Sequence, residues 1–133
     1  MGIREQLEDY FYQSLEVDLL LRLCPDEEDT IYQIVDLLVD LTTNALRFAK
    51  ENVSVELSIE GENLKLEIAD DGDGFPAELL KSGIQPFRKG TEEAEHLGMG
   101  LYICNLLCRK HGGTLKIANT DIGAVASAIL KIS

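Results

Sequence analysis

Asp40 and Asn44 stand four residues apart in the run Asp40-Leu41-Thr42-Thr43-Asn44-Ala45, a spacing that sets a carboxylate and a neutral amide on one flank of a helix. An amide oxygen suits Mg2+, which takes a few oxygen ligands and fills the rest of its shell with phosphates and water. Arg47, about one turn on, can meet phosphate charge, and Asp40, one turn back, can orient or deprotonate an attacking group. Charged helix flanks are most often only solvated. What lifts these residues above that reading is a pair of glycine clusters downstream, Asp70-Asp71-Gly72-Asp73-Gly74-Phe75-Pro76 and Gly98-Met99-Gly100-Leu101. Gly72 and Gly74, with Phe75 beside them, let a ring or a phosphate come close to the backbone. Gly98 and Gly100, ahead of Leu101, read as the opening of a helix whose free amides favour phosphate. Asp70 is in phase with Leu64, Leu66 and Ile68, so its carboxylate is aimed at the buried face of a strand and needs a partner. Two partners are open to it: the exocyclic amine of adenine, or the amides of the glycine turn that follows. The order of these features is that of an ATP site with Mg2+.

Positioning these groups requires a long helix, a hairpin and a second helix. Pro25 to Thr30 is an acidic helix start, and the helix is expected to run to about Lys50 with Ile34, Leu37, Leu38, Leu41, Ala45 and Phe48 on its apolar side. Val53, Val55, Leu57 and Ile59 alternate with polar residues, Gly61-Glu62-Asn63 turns the chain, and Leu64, Leu66 and Ile68 alternate again, which is a hairpin. The second helix is expected over about residues 99–110, ending at Gly112-Gly113, with strands near 114–118 and 124–132. Between the glycine clusters, residues 82–97 have no usable period and read as a mobile flap. In it Phe87 is an apolar anchor, and Arg88 and Lys89 either reach the nucleotide's phosphates or are simply an exposed basic pair. Ahead of all this, Ile3, Leu7, Tyr10, Phe11 and Ser14 mark a short amphipathic helix, and residues 15–23 alternate as a strand.

The 133 residues, 45% of them hydrophobic, fit one domain. A net charge of -12 with no lysine-arginine block argues against nucleic acid or an anionic membrane surface as a partner, and means that a triphosphate would need Mg2+ and locally placed cations. Cys24, Cys104 and Cys108 lie in apolar surroundings without paired spacing, which speaks for packing in a reducing compartment rather than a disulfide framework. No run approaches the roughly 20 apolar residues of a membrane span. A cytoplasmic location, including that of the cytoplasmic part of a membrane-bound sensor, is the expectation.

The Asn44 helix, the Asp70 to Gly74 turn, Phe87 and Gly98-Met99-Gly100-Leu101 together resemble the N, G1, F and G2 boxes of the histidine-kinase-like ATPases, the superfamily of gyrase, Hsp90, histidine kinases and MutL. Gly98 to Ile103 followed by His111-Gly112-Gly113-Thr114-Leu115 looks most like the ATP-binding catalytic domain of bacterial sensor histidine kinases. The resemblance covers about residues 15–132, so that residues 1–14 read as an N-terminal helix or junction and 15–133 as the ATP-binding domain. It implies an α/β (α+β) two-layer sandwich of the Bergerat type, a mixed sheet with helices on one face. Asn44 would then ligate Mg2+, Asp70 would bind adenine, and the glycines would shape the pocket. Three departures stand out: Asp40 where these kinases usually carry Asn, Glu or His, Asp71 in place of a common Asn, and a short flap.

The function implied is donation of the γ-phosphate of ATP to a histidine on a separate dimerisation domain, in cis or in trans, with a response regulator downstream. Neither His96 nor His111 is followed by the acidic residue of a phosphoacceptor. Two other readings fit the residues: a nucleotide-gated protein-binding module with little or no catalysis, and a stand-alone serine kinase like the anti-sigma factors.

Overall fold

The computed structural model describes residues 2–14, 28–84 and 92–131. Its elements are α1 (Ile3–Ser14), α2 (Glu28–Phe48), β1 (Val53–Glu60), β2 (Asn63–Asp70), α3 (Ala77–Ser82), α4 (Glu92–Lys110), β3 (Thr114–Asn119) and β4 (Ala124–Lys131). The four strands form one sheet in the order β1-β2-β4-β3. Period-2 alternation decides which face is covered. The register aligns Leu57, Leu66, Ala128 and Leu115 across the sheet, and Val55, Ile68, Ala126 and Ile117 in the next row, so two apolar bands face the helices. All three strand pairings are antiparallel, and the further strand expected over residues 15–23 lies outside the described residues, as does Cys24. The expected two-layer α/β sandwich is the fold the chain adopts.

α2 is the packing centre. Ile34, Leu37, Leu38 and Leu41 are buried against the sheet side, and Val35 and Val39 are buried as well, because α1 and α4 cover other faces of the same helix. Burial on more than one side explains how so apolar a helix coexists with a charged flank: Asp36, Asp40, Thr43 and Arg47 occupy what remains. α1 is held onto α2 by Phe11, only 2% exposed and part of the same core as Leu38 and Leu66, with Leu7 packed beside it.

α4 departs from its expected boundary. It begins at Glu92, seven residues before Met99, so that residues 92–97, read from sequence as flap, are helical. Acidic residues at its first turn suit the positive end of a helix dipole, and Leu97 drops into the core at 4% exposure. At the other end α4 closes with paired bonds, Gly113 N–H to the Cys108 carbonyl at 2.9 Å and Gly112 N–H to the Arg109 carbonyl at 3.0 Å, with Gly112 at φ 74°. This pairing needs a left-handed residue after the last turn, which is why a glycine stands at position 112. His111 Nε2 hydrogen-bonds to Gln33 Oε1 at 2.7 Å and so ties the end of α4 to α2. Cys104 and Cys108 are buried in the core, and burial pushes both thiols up to about 12, which leaves them unreactive packing groups.

If α1 belongs to the core rather than hanging from it, Phe11→Ala should cost about 3 kcal/mol of stability in urea unfolding, the usual loss for a buried aromatic. A loss below about 0.5 kcal/mol, the range of surface substitutions, would make α1 an appendage.

Candidate functional site

Two cavities share Asn44 in their walls. The first, of about 150 Å³, is walled by Leu41, Ala45 and Phe48 from α2, Ile68 from β2, Phe75 and Pro76 from the segment after it, Leu97 and Leu101 from α4, and Ala124 and Ala126 from β4. Apart from Asn44, its polar side chain is Asp70. An apolar slot with one carboxylate at its wall suits a flat ring that carries an amino group. Of the two partners foreseen for Asp70, the glycine turn is present: its Oδ1 accepts the Gly72 amide at 2.8 Å, while among the described residues its Oδ2 takes no hydrogen bond. Gly72 has no room for a side chain, since a Cβ there would run into the carbonyl oxygen of Phe48. That close approach brings the turn after β2 against the end of α2, and so sets Asp70 beside Phe48. Gly74 lies on the wall of the same cavity.

The second cavity, about 440 Å³, is bordered mainly by polar and charged residues. Asp40, Thr43, Asn44 and Arg47 line it from α2, Met99, Gly100 and Ile103 from α4, and Arg4 reaches in from α1. The sequence-predicted trio Asp40, Asn44 and Arg47 is therefore gathered at one place, beside Gly100. The helix boundary changes what the glycines do, however. Gly98 and Gly100 lie inside α4 rather than at its start, so their amides belong to the helix and offer no free N–H to a phosphate. A Cβ at Gly100 would sit 3.5 Å from Asn44 Nδ2. Its lack of a side chain keeps the space beside Asn44 open. Gly98 is buried. Phe87, Arg88 and Lys89 lie outside the described residues, and so does the side chain of His96.

Two struts that sequence reasoning did not find hold the first cavity. Asp71 gathers the amides of Lys50, Glu51 and Asn52 at 2.8, 3.0 and 3.1 Å, binding the turn after β2 to the segment that follows α2. These bonds, led by that of Glu51, favour the ionised form and hold the carboxyl down at about 2. Asn119, at the end of β3, grips the backbone of Phe75 from both sides, its Oδ1 accepting the Phe75 amide at 2.7 Å and its Nδ2 donating to the Phe75 carbonyl at 3.0 Å. Asp71 was visible in sequence only as a replacement for Asn. Asn119 carried no local signal, because its partner is 44 residues away.

The model of the histidine kinase-, DNA gyrase B-, and HSP90-like ATPases matches residues 27–132. The chain belongs to this family. Among its relatives, sensor protein KdpD of Escherichia coli (strain K12) is 32% identical over 90 residues, covering 65% of this chain and 10% of that protein. Sensor histidine kinase RegB of Cereibacter sphaeroides is 29% identical over 120 residues, 80% of this chain and 26% of that protein. The chain thus spans about a tenth of the length of KdpD and about a quarter of that of RegB. The fold of the catalytic domain of histidine kinase ThkA superposes with a TM-score of 0.64 at 21% identity, covering 96% of this chain and 92% of that one. Helix α2, which carries the residues that resemble the N box, lines both cavities, and the first glycine turn lines the first of them. Among the described residues no helix is long and apolar enough to cross a membrane.

The Asp71 strut has a pH signature. Its folded value, about 2, lies below the ordinary 3.8, so the stability it contributes is fully present above about 4 and is lost as pH falls through about 2. The stability gap between wild type and Asp71→Asn should therefore be widest near neutrality and shrink between pH 4 and 2. Urea unfolding across that range checks it; a gap independent of pH would mean that Asp71 is not held ionised by these amides.

Proposed function

We propose that this domain binds ATP together with Mg2+ and presents the γ-phosphate to a histidine on a separate dimerisation domain, in cis or in trans, as part of a two-component system with a response regulator downstream. The observation that carries the reading is Asn44 at the junction of an apolar slot with a free carboxylate oxygen and a polar cavity with two arginines. Adenine enters the slot, against Phe48, Phe75 and Leu101, and its amine donates a hydrogen bond to Asp70 Oδ2. The phosphates extend past Asn44 into the space that Gly100 leaves open, within reach of Arg47, with Arg88 and Lys89 as further cations. The names of KdpD and RegB, a sensor protein and a sensor histidine kinase, favour this reading over a stand-alone serine kinase. A cytoplasmic location goes with it.

The donor set fits Mg2+. Asn44 supplies a neutral oxygen beside the polar cavity, and among the described residues no group of three or more His, Cys, Asp or Glu side chains forms a protein-only cage. That is the chemistry of a metal that comes with its nucleotide and completes its shell with phosphate and water. Held there with the nucleotide, Mg2+ would supply positive charge against the triphosphate. The chain's own contribution is positioning: Asn44 fixes the triphosphate, Arg47 balances its charge, and Asp40 orients the acceptor histidine. Acceleration then comes from alignment and charge stabilisation rather than from a covalent step on this chain.

Asp70→Asn should weaken ADP binding in calorimetry by about 1.5–3 kcal/mol, the scale of a charged hydrogen bond, and narrow the preference over GDP. Unchanged ADP affinity in the folded variant would remove Asp70 from base recognition. Asn44→Ala and Asp40→Asn should separate: the first weakens ATP in the presence of Mg2+ and changes metal-free binding little, whereas the second does not weaken binding and slows single-turnover transfer to a supplied dimerisation domain. With radiolabelled ATP that domain should be labelled and the isolated chain should not. Acid-labile label on the isolated chain at stoichiometric yield would contradict the assignment of the acceptor.

A further inference from the structure

Arg4 is the one basic residue of α1, and its guanidinium reaches across to the reactive flank of α2. Its Nη1 donates to Asp40 Oδ1 at 2.8 Å, its Nη2 stands 3.9 Å from Asp36 and its Nε 3.6 Å from Glu8. The Asp40 carboxylate, ahead of the smaller effects of Glu8 and Asp36, raises the guanidinium's affinity for its proton, so it is charged at any working pH. The pair is about half exposed, and such pairs add little to stability. Its location carries more weight. Arg4 and Asp40 both line the polar cavity next to Asn44 and Arg47.

A carboxylate in a cavity that takes phosphates is a liability, all the more in a chain of net charge -12. Arg4 cancels it. With Arg4 in place the described charges of the cavity lining are two arginines against one aspartate; without it, Arg47 alone faces Asp40. We propose that Arg4 is a phosphate-selecting residue of the nucleotide site, which neutralises Asp40 and so lets the polar cavity accept a triphosphate beside a carboxylate. This rests on the nucleotide reading above and adds to it a residue from outside the motif-bearing elements. Because Arg4 rides on α1, affinity for the phosphates becomes tied to the seating of α1 on α2, which Phe11 maintains.

The test is calorimetric titration of the whole chain with adenosine, ADP and Mg-ATP. Arg4→Gln should weaken ATP about tenfold, the size of one partly screened charge contact, weaken ADP less, and leave adenosine unchanged. Arg4→Lys, which keeps the charge, should retain most of the ATP affinity. Asp40→Asn added to Arg4→Gln should restore most of the ATP loss, since the charge to be cancelled is then gone. Equal ATP affinity in Arg4→Gln overturns the proposal, and so does a parallel loss of adenosine and ATP, which would mean that Arg4 only holds α1 in place. Should Arg4→Gln fail to fold, Arg4→Lys with Asp40→Asn decides: Asp40→Asn alone should then raise ATP affinity over wild type, and no rise contradicts the account. A wild-type chain that binds neither adenosine nor ATP would instead sink the nucleotide reading itself, and this inference with it.

Discussion

Leu37, Leu41 and Ala45 press α2 onto the inner face of the sheet, and the 3.6-residue period then leaves no choice about where Asp40, Asn44 and Arg47 go. Rotating the helix to move any of them would lift a row of leucines out of the core, at about 2–5 kcal/mol for each large apolar side chain left without its packing. The candidate site is thus placed by apolar groups outside its polar lining. The same packing fixes Phe48, whose carbonyl admits only a glycine at position 72, and through that glycine it fixes the turn that carries Asp70.

Two adjacent aspartates divide one task. Asp71 is consumed entirely by the protein, its carboxylate taken up by backbone amides after α2, and the turn is rigid for that reason. Asp70 spends one oxygen on the turn and keeps the other beside an apolar slot. A carboxylate half satisfied by its own fold is oriented before any ligand arrives, which lowers what binding must spend on ordering it. Across the slot Asn119 holds Phe75 with two hydrogen bonds, so both walls near Asp70 are set by backbone contacts. The polar cavity is organised differently, by opposed charges on separate helices.

Much of this was legible in the sequence because it is local. The hairpin of β1 and β2, with its turn at Gly61-Glu62, follows from alternation on either side of a glycine turn, and the phase of Asp70 follows from the same alternation. α2 could be read from its apolar period, and the shared flank of Asp40, Asn44 and Arg47 from their spacing. The start of α4 was not legible: two glycines and a polar stretch look like a loop, and only the burial of Leu97 and Leu101 against α2 and the sheet makes helix the better state there. Asn119 and Arg4 lie beyond local reasoning altogether. Their partners are 44 and 36 residues away, and no spacing rule connects a residue to a neighbour that only the fold supplies. Arg4 did carry a hint, as the lone cation on an acidic helix.

The claim on which the rest turns is that the two cavities form one site divided at Asn44, base on one side and phosphates on the other. Backbone amide shifts in a ¹⁵N-labelled sample, followed during separate titrations with adenosine and with ADP, test it most directly. Adenosine should perturb Phe75, Ala126 and the Gly72 turn and leave Arg47 and Gly100 near their starting positions, whereas ADP should perturb both groups. Identical patterns for the two ligands, or shifts confined to residues away from both cavities, would contradict the account.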